Sequence, residues 1–415
     1  MIKLAVLTQC NMDIDMYVST GVGVLALALG MMLTRCIGFL RRFCIPAPVT
    51  GGIIISLLVL AVYSIFGVEC RMDGSVKDLC MMLFFTSVGF QSDFKALKKG
   101  GKALLVVIGL VAVLIVMQNV ISIGIARGMG QSALLGMAVG SIPMSGGHGT
   151  AGGFAPLLEQ MGLTGASSIA MAAATFGLVA GSLLGGPLGE GLIRRNALAE
   201  PASTPEDPSR SLETTESRES SEASDAKTFQ KYLQATCVLV LAMAIGSLLS
   251  RALALTGITF PTYFGALLTA CIVRNLFSLS PNLERKLAIG EVVSIGDICL
   301  QLFLGMAMAS LRLWELSSLA LPLVAILVAQ VAFMALYGAF VAFPLLGKDY
   351  DAAVLVSGIC GFGLGATPNA MANMSAVCLK YHYAVKPFII VPIIGAMFVD
   401  LINTAVVTLF LNIVG

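Results

Sequence analysis

Two glycine-rich segments carry the groups of this chain best suited to binding small ions. The first runs from Ser145 to Thr150 and the second from Gly361 to Pro368. Hydroxyl and backbone carbonyl oxygens suit a hard cation such as Na⁺, whereas the free N–H groups at a helix start suit a carboxylate. Thr367 followed by Pro368 predicts such a helix start, with Thr at the N-cap and Pro in the first helical position. Each segment therefore offers chemistry for an anion and for a cation.

The composition of the chain indicates that both segments lie in a membrane protein. Of the 415 residues, 57% are hydrophobic and 12% are charged, and the mean hydropathy is +0.93. A soluble domain has about 25% charged residues, so soluble enzymes, disordered scaffolds and nucleic-acid-binding proteins are excluded. The net charge is +2, and the two His residues are too few for a histidine-rich metal centre. The sequence predicts an all-α polytopic protein of the lipid bilayer that is not an enzyme.

Ten apolar runs are long enough to cross a hydrocarbon core of about 30 Å. The first five lie at 17–40, 49–68, 76–92, 103–127 and 166–193, and the last five at 229–256, 260–278, 290–310, 317–345 and 385–413. Residues 196–228 are rich in Ser, Thr, Pro and Glu, which predicts a disordered linker, with a regulatory segment as the alternative. The chain therefore divides into residues 1–195, this linker and residues 229–415.

In each half, the fourth and fifth runs are separated by a segment that a plain span does not explain. Residues 131–161 are broken by Pro143 and by the first glycine-rich segment, and residues 350–379 by the second. A helix over residues 131–143 would rise about 20 Å, a little past the bilayer centre. Irregular backbone at that depth is tolerated only where protein or a water-filled cavity surrounds it. We therefore expect two re-entrant hairpins that meet tip to tip; loops outside the membrane are the alternative.

The two halves match each other at near-constant spacing. Gly51, which lies a few residues after Pro46, corresponds to Gly265, which lies a few residues after Pro261. Asp78 corresponds to Asp297, each two residues before a cysteine. Such matches, in register with the hydropathy pattern, suggest a duplication. Because five spans per half is an odd number, the second half has the opposite orientation in the membrane to the first. With both termini outside and the linker in the cytoplasm, a large majority of the 25 Lys and Arg residues lie inside, as the positive-inside rule requires.

Polar side chains within the apolar runs are candidate ion ligands. Asp400 lies in the last run with Asn403 one turn further on, and a carboxylate buried in hydrocarbon is functional by default. The pair could hold Na⁺, relay a proton, or form a hydrogen bond between helices. The further Na⁺ candidates are Asp297, Thr86, Ser87 and Gly363; for the two hydroxyls, hydrogen bonds that join helices are the alternative.

Three other polar side chains are candidate substrate contacts. His148 could hydrogen-bond substrate or backbone; pH sensing is an alternative, and catalysis is the least favoured. No carboxylate stands nearby in the sequence to orient its ring, and no Gly-x-Ser-x-Gly elbow occurs. Gln118 and Asn119, in the fourth run, could reach polar groups of a substrate or only those of neighbouring helices.

These motifs resemble those of the sodium/glutamate symporter family. The resemblance is carried by the segments Ser145–Thr150 and Cys360–Pro368, supported by Ile45–Gly52, Met117–Asn119, Ala174–Leu178 and Lys348–Val354. It extends from about Leu25 to Val407, the linker excepted. It implies a bacterial inner-membrane carrier that takes up L-glutamate with Na⁺, built as two inverted-topology repeats of five transmembrane helices with a re-entrant hairpin in each. The family is similar to elevator-type dimers, so the resemblance also implies a homodimer.

The same resemblance makes the residues of the two tips the expected neighbours of substrate and ion. These residues are Ser145, Gly146, Gly147, His148, Gly149, Thr150, Gly363, Gly365, Ala366, Thr367, Pro368 and Asn369.

The sequence therefore predicts a secondary active transporter that carries L-glutamate, or a related acidic amino acid, into the cell with Na⁺ by alternating access. No Lys or Arg is clearly available in mid-membrane to pair with the carboxylates of glutamate. Helix N-termini, hydroxyls, amides and co-transported Na⁺ must fill that role, and no organic cofactor is expected. The alternatives are a proton-coupled carrier or Na⁺/H⁺ antiporter that uses Asp400, an ion channel with the glycine tips as its filter and, third, an intramembrane enzyme.

Overall fold

A computed structural model describes residues 10–199, 221–255, 259–280, 287–314 and 319–414. These residues are almost entirely helical, as the sequence predicts. The structure adds one short parallel sheet, in which β1 (Cys10–Ile14) pairs with β2 (Val68–Met72). The two strands precede α1 and follow α3, the first two long helices, so the sheet joins neighbouring helix ends.

In the first half, short helices lie between two long ones where the sequence predicts a broken segment. They are α1 (Met16–Cys36), α2 (Gly38–Arg42), α3 (Ala47–Phe66), α4 (Ser75–Gln91), α5 (Lys95–Gly128), α6 (Ala133–Val139), α7 (Ser141–Met144), α8 (Gly147–Gln160) and α9 (Ala166–Arg195).

The second half has a comparable order of long and short helices. They are α10 (Ser221–Ala254), α11 (Phe264–Phe277), α12 (Ile289–Ala309), α13 (Ala320–Tyr337), α14 (Tyr350–Leu364), α15 (Thr367–Cys378), α16 (Val385–Ile393) and α17 (Val399–Val414). A wider, π-helical turn at Gly338–Ala342 extends α13 to Leu345, and another at Ile394–Phe398 joins α16 to α17.

Seven helices within the described ranges are long and apolar enough to cross a membrane. They match seven of the ten predicted runs, namely all except 76–92, 260–278 and 385–413. In those three, α4 has 17 residues, α11 has 14, and the last run is divided between α16 and α17. The fold is that of a multi-pass membrane protein, while ten as the number of spans stays a prediction.

The structure corrects the predicted boundary after the linker. Residues 200–220 lie outside the described residues, but 221–228, which the sequence assigned to a disordered segment, form the start of α10. Apolar character ends at the membrane surface, whereas helical hydrogen bonds continue through residues such as Glu222, Ala223 and Lys227 that favour helix. Residue 256 and residues 317–318, at the ends of two predicted spans, also lie outside the described residues.

The helices form two groups, each of which packs mainly on itself. We call α1, α3, α4 and α10–α12 the companion group, and α5–α9 with α13–α17 the hairpin group. The groups meet where α8 packs on α12 and where α4 approaches the turn Ile394–Phe398. Within the companion group, helices cross very closely: a Cβ on Gly51 would lie 1.7 Å from the Ala26 carbonyl oxygen, and one on Gly265 would lie 2.2 Å from that of Gly246. Only glycine permits these two crossings.

Candidate functional site

The second broken segment folds as a tight helical hairpin. The Asp349 side chain accepts a hydrogen bond from the Ala352 N–H (2.8 Å) and caps the start of α14. Near the turn, a Cβ on Gly361 would lie 2.4 Å from the backbone of Ala370, so α14 and α15 touch through their main chains. The chain reverses at Gly365 and Ala366. The helix α15 then begins at Thr367 with Ala366 at the N-cap, one residue earlier than predicted, so Thr367 is not the capping residue.

The first broken segment has a more irregular descending arm. The helix stops at Gly140, resumes for one turn as α7, and starts again as α8 at Gly147, whose φ is +60°. The backbone exposed by the break at Ser141 is held by two buried asparagines. Asn119 accepts from the Ser141 N–H (3.0 Å) and donates to its hydroxyl (2.7 Å), while Asn403 donates to its carbonyl oxygen (3.1 Å).

The tips of the two hairpins meet. A Cβ on Gly147 would lie 3.0 Å from the carbonyl oxygen of Gly365, so the polypeptides approach as closely as glycine allows. The Gln118 side chain lies between the tips: it donates to the Gly363 carbonyl oxygen (2.7 Å) and accepts from the Ser145 hydroxyl (2.7 Å). The sequence-predicted convergence of the two segments is therefore present, and a buried amide of α5 occupies part of the junction.

A cavity of about 490 Å³ lies beside the tips, between the hairpin group and the companion group. That volume is in the range of small-molecule sites. Its lining contains ten of the predicted tip residues: Ser145, Gly146, Gly147, His148, Gly149, Thr150, Gly365, Ala366, Thr367 and Pro368. Across the cavity, the companion group contributes Cys44, Pro46, Phe84, Val88, Gln91, Asp297, Leu300, Gln301 and Leu304.

The polar groups of the cavity are acidic and neutral. The Asp400 carboxylate lies 3.4 Å from the Thr150 hydroxyl, and the His148 Nε2 lies 3.0 Å from the Thr175 hydroxyl. Asp297, from α12, lines the opposite wall. The described residues that line the cavity include these two carboxylates and no Lys or Arg. A bound anion would therefore need backbone N–H groups, hydroxyls or a cation beside it.

Several predicted site residues lie behind the cavity and support it. Asn119, Asn403 and Gln118 hold the tip backbone, and Asn369 donates to the Leu178 carbonyl oxygen (2.8 Å). The Gly363 carbonyl oxygen is occupied by Gln118 and lies 3.4 Å from the Ser145 hydroxyl. The remaining pair, Thr86 and Ser87, donate to carbonyl oxygens of their own helix, those of Met82 and Phe84 (2.7 Å each).

Of the companion-group wall of the cavity, only Asp297 was identified from the sequence. Gln91 and Gln301 also line the cavity, and Gln301 lies within a predicted span, where an uncharged amide is the kind of polar signal that drew attention to Gln118. Cys44 and Pro46 carry no comparable signal. They reach the cavity through the packing of the two groups, which local sequence does not encode.

Comparison with known proteins decides the family. A sequence model described as "Sodium/glutamate symporter" matches residues 12–383. The chain is 38% identical over 391 residues to the sodium/glutamate symporter of Escherichia coli K12, covering 93% of this chain and 95% of the relative. It is equally 38% identical to the sodium/glutamate symporter of Haemophilus influenzae, over 94% and 95% of the two chains.

This chain belongs to the sodium/glutamate symporter family. The resemblance found in the sequence motifs is thereby confirmed, as is the prediction that the chain is not an enzyme, because the family consists of symporters. The match covers both hairpins up to residue 383, so all the residues that line the cavity except Gly395, Val399 and Asp400 lie within the matched region.

The cavity predicts a sharp difference in thiol accessibility along α15. In a variant lacking the ten native cysteines, we expect Ala366→Cys to react with a charged methanethiosulfonate reagent at least about tenfold faster than Ala370→Cys, because a hydrated thiol forms the thiolate that attacks the sulfur of the reagent and displaces methanesulfinate. Ala366 lines the cavity, whereas Ala370, one turn further on, is fully buried. The rates are measured in membrane vesicles by mass-tag gel shift. Equal rates at the two positions would contradict the assignment of the cavity.

Proposed function

We propose that this chain is a Na⁺-coupled symporter that takes up L-glutamate or a related acidic amino acid. The observation that carries the proposal is the cavity at the two hairpin tips, found in a member of a family whose curated relatives are named sodium/glutamate symporters. We place it in the bacterial inner membrane, since both named relatives are bacterial. Its termini are outside, the central linker is in the cytoplasm, and the charge distribution along the sequence supports that orientation.

The substrate carboxylates are proposed to bind at the helix starts. Both α8, which begins at Gly147, and α15, which begins at Thr367, open onto the cavity. Neither start has a hydrogen bond from a capping side chain within the described residues. A free helix N-terminus attracts a carboxylate through its N–H groups and its dipole. Two such ends beside one cavity match a substrate with two carboxylates.

Na⁺ is proposed to bind at Asp400. Its carboxylate and the Thr150 hydroxyl lie 3.4 Å apart on the cavity wall, and hard cations prefer such oxygen ligands. Asn403, one turn away, has a buried Oδ1 without a hydrogen-bond partner. Asp297 is a second candidate because it faces the same cavity. Thr86, Ser87 and the Gly363 carbonyl rank lower, since their oxygens lie in hydrogen bonds within the protein.

Charge supplies the physical reason for coupling. Two like charges 4 Å apart repel by about 4 kcal/mol at an effective dielectric constant of 20. Glutamate that enters a cavity with the carboxylates of Asp297 and Asp400 meets that repulsion unless a cation enters with it. Na⁺ at Asp400 removes one negative charge from the wall and adds an attractive partner for the substrate. Symport therefore follows from the acidic lining.

Alternating access of the elevator type is the mechanism that we propose. The cavity lies between the two helix groups, which touch at few places, so the hairpin group is suited to move as a unit against the companion group. Inverted repeats over 1–195 and 229–415 are supported by the corresponding close crossings at Gly51 and Gly265. The arm α14 has 15 residues and rises about 22 Å, too short to cross the bilayer, which supports a re-entrant hairpin. A homodimer is proposed on the family resemblance alone.

Counterflow in proteoliposomes tests the function. Vesicles loaded with unlabelled glutamate should accumulate labelled glutamate from outside when Na⁺ is present on both sides, and should accumulate little when choline replaces it. The same assay with aspartate and other dicarboxylates ranks the substrates. Accumulation that is unchanged without Na⁺ would contradict Na⁺ coupling, and ohmic current in a planar bilayer would favour a channel.

Removing the carboxylate of Asp400 in one variant and that of Asp78 in another separates an effect on ion binding from a general effect of charge. We expect Asp400→Asn to raise the Na⁺ concentration for half-maximal uptake at least about tenfold, which corresponds to a loss of about 1.4 kcal/mol of ion binding. Asp78→Asn is the matched control, because Asp78 is exposed in the first turn of α4 and does not line the cavity. Asp400→Asn with unchanged Na⁺ dependence would remove Asp400 from the ion site. If the variant instead abolishes Na⁺/proton exchange that glutamate does not affect, the chain is an antiporter.

A further inference from the structure

Gln118 is not among the residues that line the cavity, but its side chain contacts both hairpins. It belongs to the long helix α5 and is fully buried. Its side chain contacts one residue of each hairpin, Ser145 from the first and Gly363 from the second. Those two contacts are 218 positions apart in the sequence. The side chain is thus a bridge between two segments that belong to different halves of the chain.

The amide group is chemically required at this bridge. The carbonyl oxygen of Gly363 can only accept a hydrogen bond, and Gln118 donates to it through Nε2. The hydroxyl of Ser145 donates its proton to the other end of the same amide, Oε1. A carboxylate could serve Ser145 but not Gly363, and an alkyl chain could serve neither.

The helix behind Gln118 is itself anchored. Gln330, on α13, donates through Nε2 to the main-chain carbonyl oxygen of Gln118 (2.7 Å) and is also fully buried. Gln330 touches the main chain of α5, whereas Gln118 reaches the tips with its side chain. The side chain of Asn119, the next residue, bonds to Ser141 in the first hairpin and, among the described residues, to no residue of the second. The bridging role is thus confined, among these three amides, to Gln118.

We propose that Gln118 is a positioning residue that fixes the separation of the two hairpin tips, and through it the affinity of the site for its acidic substrate. The inference rests on the proposed function. Ser145 itself lines the cavity, and Gly363 is two residues before Gly365, which also lines it. A shift of either tip therefore moves a helix start that receives a substrate carboxylate. Gln118 acts on the substrate through the tips and does not contact it.

The test compares two changes at Gln118 with one at Gln330. We expect Gln118→Leu to raise the KM for glutamate at least about tenfold while Vmax per transporter in the membrane falls less than about threefold, because the tips are misplaced rather than lost. Gln330→Leu removes an equally buried amide that makes no hydrogen bond to either tip among the described residues, and the Gln118 carbonyl oxygen still accepts from the Ser122 hydroxyl (2.8 Å), so the KM of this variant should stay within about twofold of wild type. Equal KM changes in the two variants would assign the effect to core packing and overturn the proposal.

In the Gln118→Glu variant, the KM for glutamate should depend on pH in a way that a change in packing alone would not produce. At pH about 8, a carboxylate would face the Gly363 carbonyl oxygen without a proton to share. At pH about 5.5, a protonated carboxyl can donate to Gly363 and accept from Ser145, as the amide does. The KM of this variant, divided by the wild-type KM at the same pH, should therefore fall at least about fivefold between pH 8 and pH 5.5. Division by the wild-type KM removes the pH effects that the two proteins share. A ratio raised well above one and equal at the two pH values would overturn the proposal, because burial favours the protonated carboxyl at pH about 5.5, and this outcome can be read even if Gln118→Leu does not reach the membrane.

A readout without substrate separates this inference from the proposed function. Cysteine at Ala366 reports the second tip directly, so its labelling rate should change at least about threefold when Gln118→Leu is added and stay unchanged with Gln330→Leu. If wild type does not take up glutamate with Na⁺, the proposed function fails, and this labelling still decides whether Gln118 positions the tips. An unchanged rate with Gln118→Leu would overturn the positioning role.

Discussion

The rest of this structure depends on satisfying the backbone hydrogen bonds of two broken helices inside a membrane. In hydrocarbon, an unpaired N–H or carbonyl group costs several kcal/mol, so a helix can stop at mid-depth only if other groups replace its lost bonds. Here buried amide side chains do so. Asn119 and Asn403 hold the main chain at Ser141, and Gln118 holds the carbonyl oxygen of Gly363. These amides come from α5 and α17, both in the hairpin group. The hydrogen bonds that hold the broken backbone at Ser141 and Gly363 are thus supplied by the hairpin group itself.

That independence connects the fold to the proposed mechanism. A site whose backbone and most of whose polar groups belong to one body can move with that body, provided that the wall it slides against makes few specific bonds with it. The companion group supplies a mostly apolar face to the cavity, with Asp297, Gln91 and Gln301 as its polar members. The contact between α8 and this group includes aromatic rings: Phe154 of α8 meets Tyr263 edge-on, and Tyr263 stacks on Phe85 within the companion group (ring centroids 3.6 Å apart). Apolar contacts of this kind are non-directional, so they resist sliding less than a network of directional hydrogen bonds would.

Much of this arrangement could be predicted from the sequence because the bilayer makes polarity informative. The breaks near Ser145 and Gly365 were recognisable as glycine and polar residues within long apolar runs, and ten tip residues do line one cavity. The roles of Gln118, Asn119 and Asn403 could not be predicted, because the residue type alone does not show whether a buried amide binds a ligand or the protein backbone. The start of α10 at Ser221 was missed because hydropathy reports membrane depth and not helix ends. The companion-group wall, including Cys44 and Pro46, depends on packing between distant segments.

The central claim is that two buried tips jointly form one binding site for an acidic amino acid and its cation. A cryo-electron microscopy structure of the full chain in lipid nanodiscs, at saturating Na⁺ and glutamate, tests it most directly. We expect ligand density in contact with residues 147–150 of the first tip and 365–368 of the second, with ion density beside Asp400. Glutamate density elsewhere in the molecule, or density touching only one tip with the other turned away, would contradict the account.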